Sequence, residues 1–173
     1  VLLKKPWAPI GRHLDYAAVE ITRERHFAYI TMGSNMGNKE ENLKNAMKKI
    51  EEVSGIKIIK TSSLIVTEPW GNENQEEFLN AAIKVETYLT PRELMSELLR
   101  IEHELGRVRE MKWGPRIIDL DIVLYDDIVS NDEFVILPHP LMHLRDFVLK
   151  PLNEIAPYAL HPLKNKRIFE LIE

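Results

Sequence analysis

An α+β sandwich of the ferredoxin-like class is what the sequence predicts, an antiparallel sheet with two helices on one face and the functional site on the other. Three observations predict it. Apolar periodicity follows the order strand, helix, strand, strand, helix, strand. Each helical stretch carries its own start and stop signals. The chain of 173 residues, 45% hydrophobic and 29% charged, suits a single domain with a little left over.

The elements follow in order. Residues 27–32 are a short β-rich run ending in the turn Gly33-Ser34-Asn35-Met36-Gly37-Asn38. That turn lacks the Lys-Ser/Thr ending of a P-loop, so it reads as a strand-to-helix connection rather than a phosphate cradle. Asn38 and Glu41 have capping-box spacing, and Leu43, Ala46, Met47, Ile50 and Val53 recur at helical spacing until Gly55. Residues 56–67 read as one strand, broken by Pro69-Trp70-Gly71-Asn72. A polar loop spans 71–77, and residues 78–86 form the next strand. Thr90-Pro91-Arg92-Glu93 combines an N-cap, a proline at the first helical position and a glutamate that reaches back. Leu94, Leu98, Ile101 and Leu105 then make an apolar stripe that Gly106 ends. Glu102 lies one residue past that stripe, where a salt-bridging surface glutamate is the ordinary reading. Residues 147–152 and beyond read as core and a C-terminal cover.

Composition removes several functions. Net charge is −4, which disfavours a general nucleic-acid binder held by phosphate contacts. The absence of cysteine excludes a disulfide framework, thiolate zinc sites and a cysteine nucleophile. No apolar run has the length of a membrane span, and the lysine- and proline-bearing start does not resemble a signal peptide. A cytoplasmic protein is expected. The sequence starts at Val1 without an initiator methionine, so a piece cut from a longer chain is also expected.

Chemistry concentrates between Gly106 and Tyr125. Ile118, Leu120, Ile122 and Leu124 alternate with Asp119, Asp121, Val123 and Tyr125, so a strand here puts both aspartates on one face and the aliphatic set on the other. The two carboxylates stand about 6–7 Å apart at Cα. At an effective dielectric near 20 they repel by roughly 3 kcal/mol. A shared divalent ion offsets that repulsion, and magnesium takes one or two carboxylates with water and phosphate oxygens. The solvated strand edge is the commoner use of such a pair, and the aspartates alone leave both readings open. Upstream, Arg107, Arg109, Lys112 and Arg116 crowd a loop whose Gly106, Gly114 and Pro115 break any helix. Arginine forks match phosphate oxygens. A cationic loop beside a carboxylate pair is what nucleotide phosphates and a metal require, because phosphoryl transfer is catalysed mostly by positioning and charge neutralisation. Asn80, beside Phe78 and Trp70, has the chemistry to read the edge of a flat heterocycle, and equally that of a core asparagine among aromatics. His139 and His143 are four apart, but Pro140 disrupts a common helical face. A phosphate hydrogen bond from His139, backed by Arg145, fits better than zinc.

Residues 27–173 resemble the 6-hydroxymethyl-7,8-dihydropterin pyrophosphokinase family along their whole length. The resemblance rests on Gly33-Ser34-Asn35, Thr67-Glu68-Pro69, Phe78-Leu79-Asn80-Ala81-Ala82, Gly106-Arg107-Val108-Arg109, Gly114-Pro115-Arg116 with Asp119-Leu120-Asp121, and Pro138-His139-Pro140 with Arg145. It implies magnesium-dependent transfer of pyrophosphate from ATP to the pterin hydroxymethyl group, releasing AMP, in folate biosynthesis. Two magnesium ions would be held by Asp119 and Asp121. Arg107 and Arg116 would stabilise the transferring group, while Arg109, Lys112, His139, Arg145, Glu102 and the Ile122 backbone would hold ATP. Thr67, Trp70, Phe78, Asn80, Trp113 and Phe147 would take the pterin. The loops at 71–77 and 107–113 would close over both substrates. The chain departs from the family pattern at Glu110, at Leu141, at Phe78 and in a shorter 107–116 loop, which touches the loop-borne ATP contacts more than the reaction. Two other readings compete: a two-metal ATP phosphohydrolase, and a catalytically silent pterin-binding module.

Residues 1–26 have too little apolar content to fold alone, although residues 16–23 read as a strand. They resemble the C-terminal end of dihydroneopterin aldolase, with Lys5 at that family's functional lysine. This implies a parent fusion of aldolase and pyrophosphokinase, domains at 1–26 and 27–173, and no aldolase activity in the remnant.

Overall fold

The structure, a computed structural model, describes residues 23–68, 76–106 and 116–172. The strand expected at 16–23 (apart from Arg23), the aldolase-like remnant with Lys5, and the site residues Trp70, Arg107, Arg109, Lys112 and Trp113 lie outside the described residues, as does Glu110.

Within them the chain runs β1 (His26–Ser34), α1 (Lys39–Glu51), β2 (Ile56–Thr61), β3 (Ile65–Thr67), β4 (Phe78–Thr87), α2 (Pro91–Glu104) and β5 (Asp119–Tyr125). A hairpin of β6 (Ser130–Asp132) and β7 (Val135–Leu137) follows, then a 3₁₀ turn (Met142–Leu144), α3 (Asp146–Ile155), a hairpin of β8 (Leu160–His161) and β9 (Lys166–Arg167), and α4 (Ile168–Leu171). The main sheet has the order β2-β4-β1-β5, with β3 also paired to β4, and every pairing is antiparallel. This is the ferredoxin-like arrangement expected, with a third helix added.

The helices start where their caps require. The Asn38 side chain accepts from Glu41 N at 3.1 Å, and Thr90 and Glu93 complete a reciprocal capping box. Gly55 and Gly106, both at positive φ, close the runs. Leu43, Ala46 and Ile50 of α1 pack with Leu94, Leu98 and Ile101 of α2 against Ala28, Ile30, Ala81, Ile83, Leu120 and Ile122. Burying each large aliphatic contributes about 1.5–3 kcal/mol. Helix α3 covers the opposite face instead: Val148, Leu149 and Leu152 pack on Ala82 and Val123. The chain entry is tied down as well, since Arg23 donates to the Tyr88 carbonyl and pairs with buried Glu93.

Three expectations are corrected. The strand read over 56–67 is two strands. At the break, Ser62 exchanges main-chain bonds with Ala82, donating N–H to its carbonyl at 2.9 Å while Ser62 Oγ accepts the Ala82 N–H at 2.9 Å. The serine hydroxyl thus substitutes for a ladder carbonyl, and the chain bends. Leu124 does not share a face with Ile118, Leu120 and Ile122. Ile30 pairs with Ile122 but Tyr29 with Leu124, so Val123 is the extra residue of a β-bulge. Beyond it the faces exchange: Leu124 packs under α3 and Tyr125 joins the first core. Glu102 is no surface residue. It is 2% exposed, and its Oε2 accepts the Leu120 N–H at 2.7 Å.

Candidate active site

The site lies where β1 ends and β4 and β5 begin. Pairing sets Gly33 between Asn80 of β4 and Asp119 of β5, and sets Thr31 between Ala82 and Asp121. Directly opposed residues of an antiparallel ladder share a face, so these two rows make a floor three strands wide. Asn80 and Asp119 are then about 10 Å apart at Cα, from an inter-strand spacing near 4.8 Å. The Val123 bulge falls beyond Asp121 and leaves both aspartates on the floor. It also aims the Val123 carbonyl at the following loop, where it accepts His139 N–H at 3.0 Å. Arg145, at the N-cap of α3, and Phe147 of α3 line the cavity together with Phe78.

Gly33 is required by close approach. A Cβ there would meet Asn80 Oδ1 at 2.8 Å and Phe78 Cδ1 at 3.4 Å. Asn80 itself is 3% exposed and donates Nδ2–H to Thr67 Oγ1, which fixes the rotamer with Oδ1 over the glycine. Gly33→Ala therefore displaces Asn80 without touching the aspartates. With Asn80 in the pterin-binding role that the resemblance implies, pterin binding should weaken at least about tenfold, as a lost buried hydrogen-bonding group costs about 1–3 kcal/mol. Nucleotide binding should stay near wild type, and titration calorimetry with each ligand checks the separation.

At the other end of the row, Arg116 Nη1 donates to Asp119 Oδ2 at 3.0 Å. Arg116 is placed by Asn35: its N–H donates to Asn35 Oδ1 at 2.7 Å, and its carbonyl accepts Asn35 N–H at 3.0 Å. Asn35 Nδ2 also donates to the Glu76 carbonyl at 3.2 Å. One asparagine thus joins β1 to the start of β5 and to the approach of β4. Sequence reasoning missed that role, and the only available signal was a polar residue at the end of an otherwise apolar strand.

Arg145 is 9% exposed, and its guanidinium carbon sits 5.4 Å from the Phe147 ring centroid. Burial lowers its pKa from the usual guanidinium range, while Asp121 and Asp119 act against that and favour the cation. His139 Nδ1 accepts Leu141 N–H at 3.2 Å, which leaves Nε2 to carry the proton of the neutral ring. Burial first, and the Arg145 charge second, push the His139 pKa down to about 4, with Asp119 opposing. The imidazole is therefore a neutral Nε2–H donor across the physiological range.

That shift has a pH consequence of definite sign. Between the ordinary value of 6.5 and about 4 the unfolded chain binds a proton at His139 that the folded chain does not. The contribution is present above pH 6.5 and is lost as pH falls toward 4. Acidification from about pH 7 to about pH 5 should cost on the order of 1–2 kcal/mol from this residue. His161, also lowered by burial, adds in the same direction. Urea midpoints at the two pH values, for wild type and His139→Gln, check it: the variant should lose part of the slope.

Of the expected site residues, the structure brings Phe78, Asn80, Arg116, Asp119, Asp121, Arg145 and Phe147 to one cavity. Thr67 reaches it through Asn80 and lines an adjoining groove beside Phe147. Glu102 acts from below, on the Leu120 main chain. Ile122 points into the core, 3% exposed, so only its main chain is available to a ligand. Among the described residues no group of three or more histidine, cysteine, aspartate or glutamate side chains could hold a metal, and no helix is long and apolar enough to cross a membrane.

One cavity on the ferredoxin-like sheet is thus lined by Phe78, Asn80 and Phe147 and by Arg116, Asp119, Asp121 and Arg145. Comparison with known proteins is specific. Residues 29–157 match the family model 7,8-dihydro-6-hydroxymethylpterin-pyrophosphokinase (HPPK). The chain is 45% identical over 130 residues to the 2-amino-4-hydroxy-6-hydroxymethyldihydropteridine pyrophosphokinase of Methylorubrum extorquens, covering 75% of this chain and 82% of that one. It is 41% identical over 142 residues to the enzyme of the same name from Aquifex aeolicus, covering 82% and 88%. It also matches the folic acid synthesis protein fol1 of Pneumocystis carinii at 42%, over 92% of this chain but 21% of that longer one. Among solved structures, wild-type Plasmodium falciparum HPPK-DHPS superposes with TM-score 0.68 at 15% identity, over 91% of this chain and 46% of that one, a likeness of fold. The chain belongs to the 7,8-dihydro-6-hydroxymethylpterin-pyrophosphokinase family. Its reaction is pyrophosphoryl transfer from ATP to the hydroxymethyl group of the pterin, a step of folate biosynthesis.

Proposed function

We propose that the Asn80–Gly33–Asp119 row divides the two substrates of this reaction, with pterin over Gly33 and the ATP phosphates over the aspartates. The observation that carries this is the register itself. It sets a buried amide beside an aromatic ring on one side of a glycine, and two carboxylates with an arginine on the other. Phe78 and Phe147 flank the ring, and the Asn80 amide, held by Thr67, pairs with its edge. Arg116 and Arg145 neutralise the transferring phosphates, His139 donates Nε2–H to ATP, and Glu102 and the Ile122 main chain support the nucleotide side. By resemblance, Trp70 and Trp113 are assigned to the pterin, Arg107 to the transferring group, and Arg109 and Lys112 to ATP.

The donor set suits magnesium. Asp119 and Asp121 supply hard carboxylate oxygens, and two protein carboxylates leave the remaining positions to phosphate oxygens and water. Two Mg2+ ions held by Asp119 and Asp121 would supply charge neutralisation to the ATP phosphates. The residues themselves orient the hydroxymethyl oxygen toward the β-phosphorus, and AMP is the leaving group.

We assign the pyrophosphokinase domain to 27–173. By resemblance we assign 1–26 to the end of an aldolase domain fused upstream and inactive in this remnant; a cytoplasmic setting, expected from the composition, belongs to the same proposal. Release of AMP from ATP and Mg2+, with and without 6-hydroxymethyl-7,8-dihydropterin, on wild type and Asp121→Ala, tests the reading. AMP that requires pterin and disappears in the variant supports it. AMP without pterin would indicate an ATP phosphohydrolase, and pterin binding without AMP a silent binding module.

A further inference from the structure

Thr31 is a polar residue on the floor of the site to which neither the chemistry above nor the family motifs give a task. It is 6% exposed and lines the cavity with Gly33, Asp119 and Asp121. Its register neighbour on β4 is Ala82, which offers no side-chain polar atom; on β5 it is Asp121. Directly opposed side chains on one sheet face have Cβ atoms about 4.5–5.5 Å apart, a separation that a threonine hydroxyl and an aspartate carboxylate span directly or through one water.

We propose that Thr31 is a positioning residue for the metal-bearing carboxylate. Its hydroxyl donates to one oxygen of Asp121 in the substrate-loaded site, directly or through a water, and so presents the other oxygen to Mg2+. Groups that orient metal-bound carboxylates typically change metal affinity about 10–100-fold when removed. This inference rests on the magnesium reading of Asp119 and Asp121.

The test separates the two. Binding of a non-hydrolysable ATP analogue is titrated with Mg2+ by calorimetry on the whole chain, for wild type, Thr31→Val, Thr31→Ser and Asp121→Ala. Pterin affinity is then measured at saturating Mg2+ and analogue. Thr31→Val keeps the volume and removes the hydroxyl. It should raise the half-saturating Mg2+ concentration about tenfold with pterin affinity unchanged, and Thr31→Ser should restore it. A valine variant with wild-type Mg2+ dependence overturns the inference. So does one that loses pterin affinity alone, which would make Thr31 a reader of the pterin. Should the valine variant not fold, Thr31→Ala beside Ala82 gives the same contrast with serine. If Asp121→Ala keeps wild-type Mg2+ dependence, the magnesium reading itself fails, whatever Thr31 does.

Discussion

Asp121→Ala is expected to reduce the rate of pterin-dependent AMP release at least about a thousandfold, with the melting temperature within a few degrees of wild type. The size follows from the kind of catalysis. Phosphoryl transfer offers the protein little covalent chemistry, so the barrier is lowered by charge neutralisation and positioning, and individual electrostatic contributors typically carry about 10²–10³ in rate or more. On the proposed magnesium reading, removing one of the two carboxylates takes away both the ion's anchor and its alignment with the donor. The stability half of the prediction follows from the floor geometry. Asp121 is half-buried beside a like charge two residues away; deleting it relieves a repulsion of roughly 3 kcal/mol at most, which offsets the support it withdraws from the Arg145 cation, and it leaves the Arg116–Asp119 hydrogen bond in place. Discontinuous AMP assays and thermal melts on the same preparation check both halves. A variant that melts far below wild type would make Asp121 a structural residue, and one that turns over normally would remove it from the site.

The same stretch shows how much of this molecule is legible in its sequence. Both main helices are written locally, in caps and glycine stops, and the structure places them as expected. The aspartate pair is legible because a strand's two-residue repeat needs no knowledge of its neighbours. The features that escaped are those whose cause lies far along the chain. Asn35 takes its meaning from Arg116, 81 residues away, and Glu102 from a backbone amide 18 residues away across the α2–β5 connection. Neither leaves a periodic trace. Leu124 fits a perfect alternation in sequence and still changes face, because the bulge at Val123 is set by pairing with Tyr29 and Ile30. Ser62 interrupts a run of β-formers for a similar reason, its hydroxyl standing in for a carbonyl toward Ala82. Periodicity reports which face is apolar, whereas the bonds that hold a site together are decided in three dimensions.

Glu102 therefore supports the second large prediction, one of stability. Its carboxylate, 2% exposed, accepts the Leu120 N–H at 2.7 Å, between Asp119 and Asp121. Strand β5 is the edge of the main sheet, with β1 on one side only. Among the described residues the outward amide of Leu120 thus has no ladder partner, and this glutamate satisfies it. Glu102→Ala leaves that amide unsatisfied and opens a void under the strand. The first effect costs about 1–3 kcal/mol and the void adds to it, so a total near 3 kcal/mol is expected. For a chain of this size that lowers the melting temperature by about 6–12 °C. Glu102→Gln keeps a carbonyl oxygen in the same place and should retain most of the stability. Its turnover then separates two roles for the residue. If the carboxylate only supports β5, the glutamine variant works near the wild-type rate. If the charge also acts on the nucleotide, its kcat falls while its melting temperature holds. A Glu102→Ala protein as stable as wild type would show that the Leu120 amide finds another partner, and would leave the placement of Asp119 and Asp121 to Arg116 and Asn35 alone.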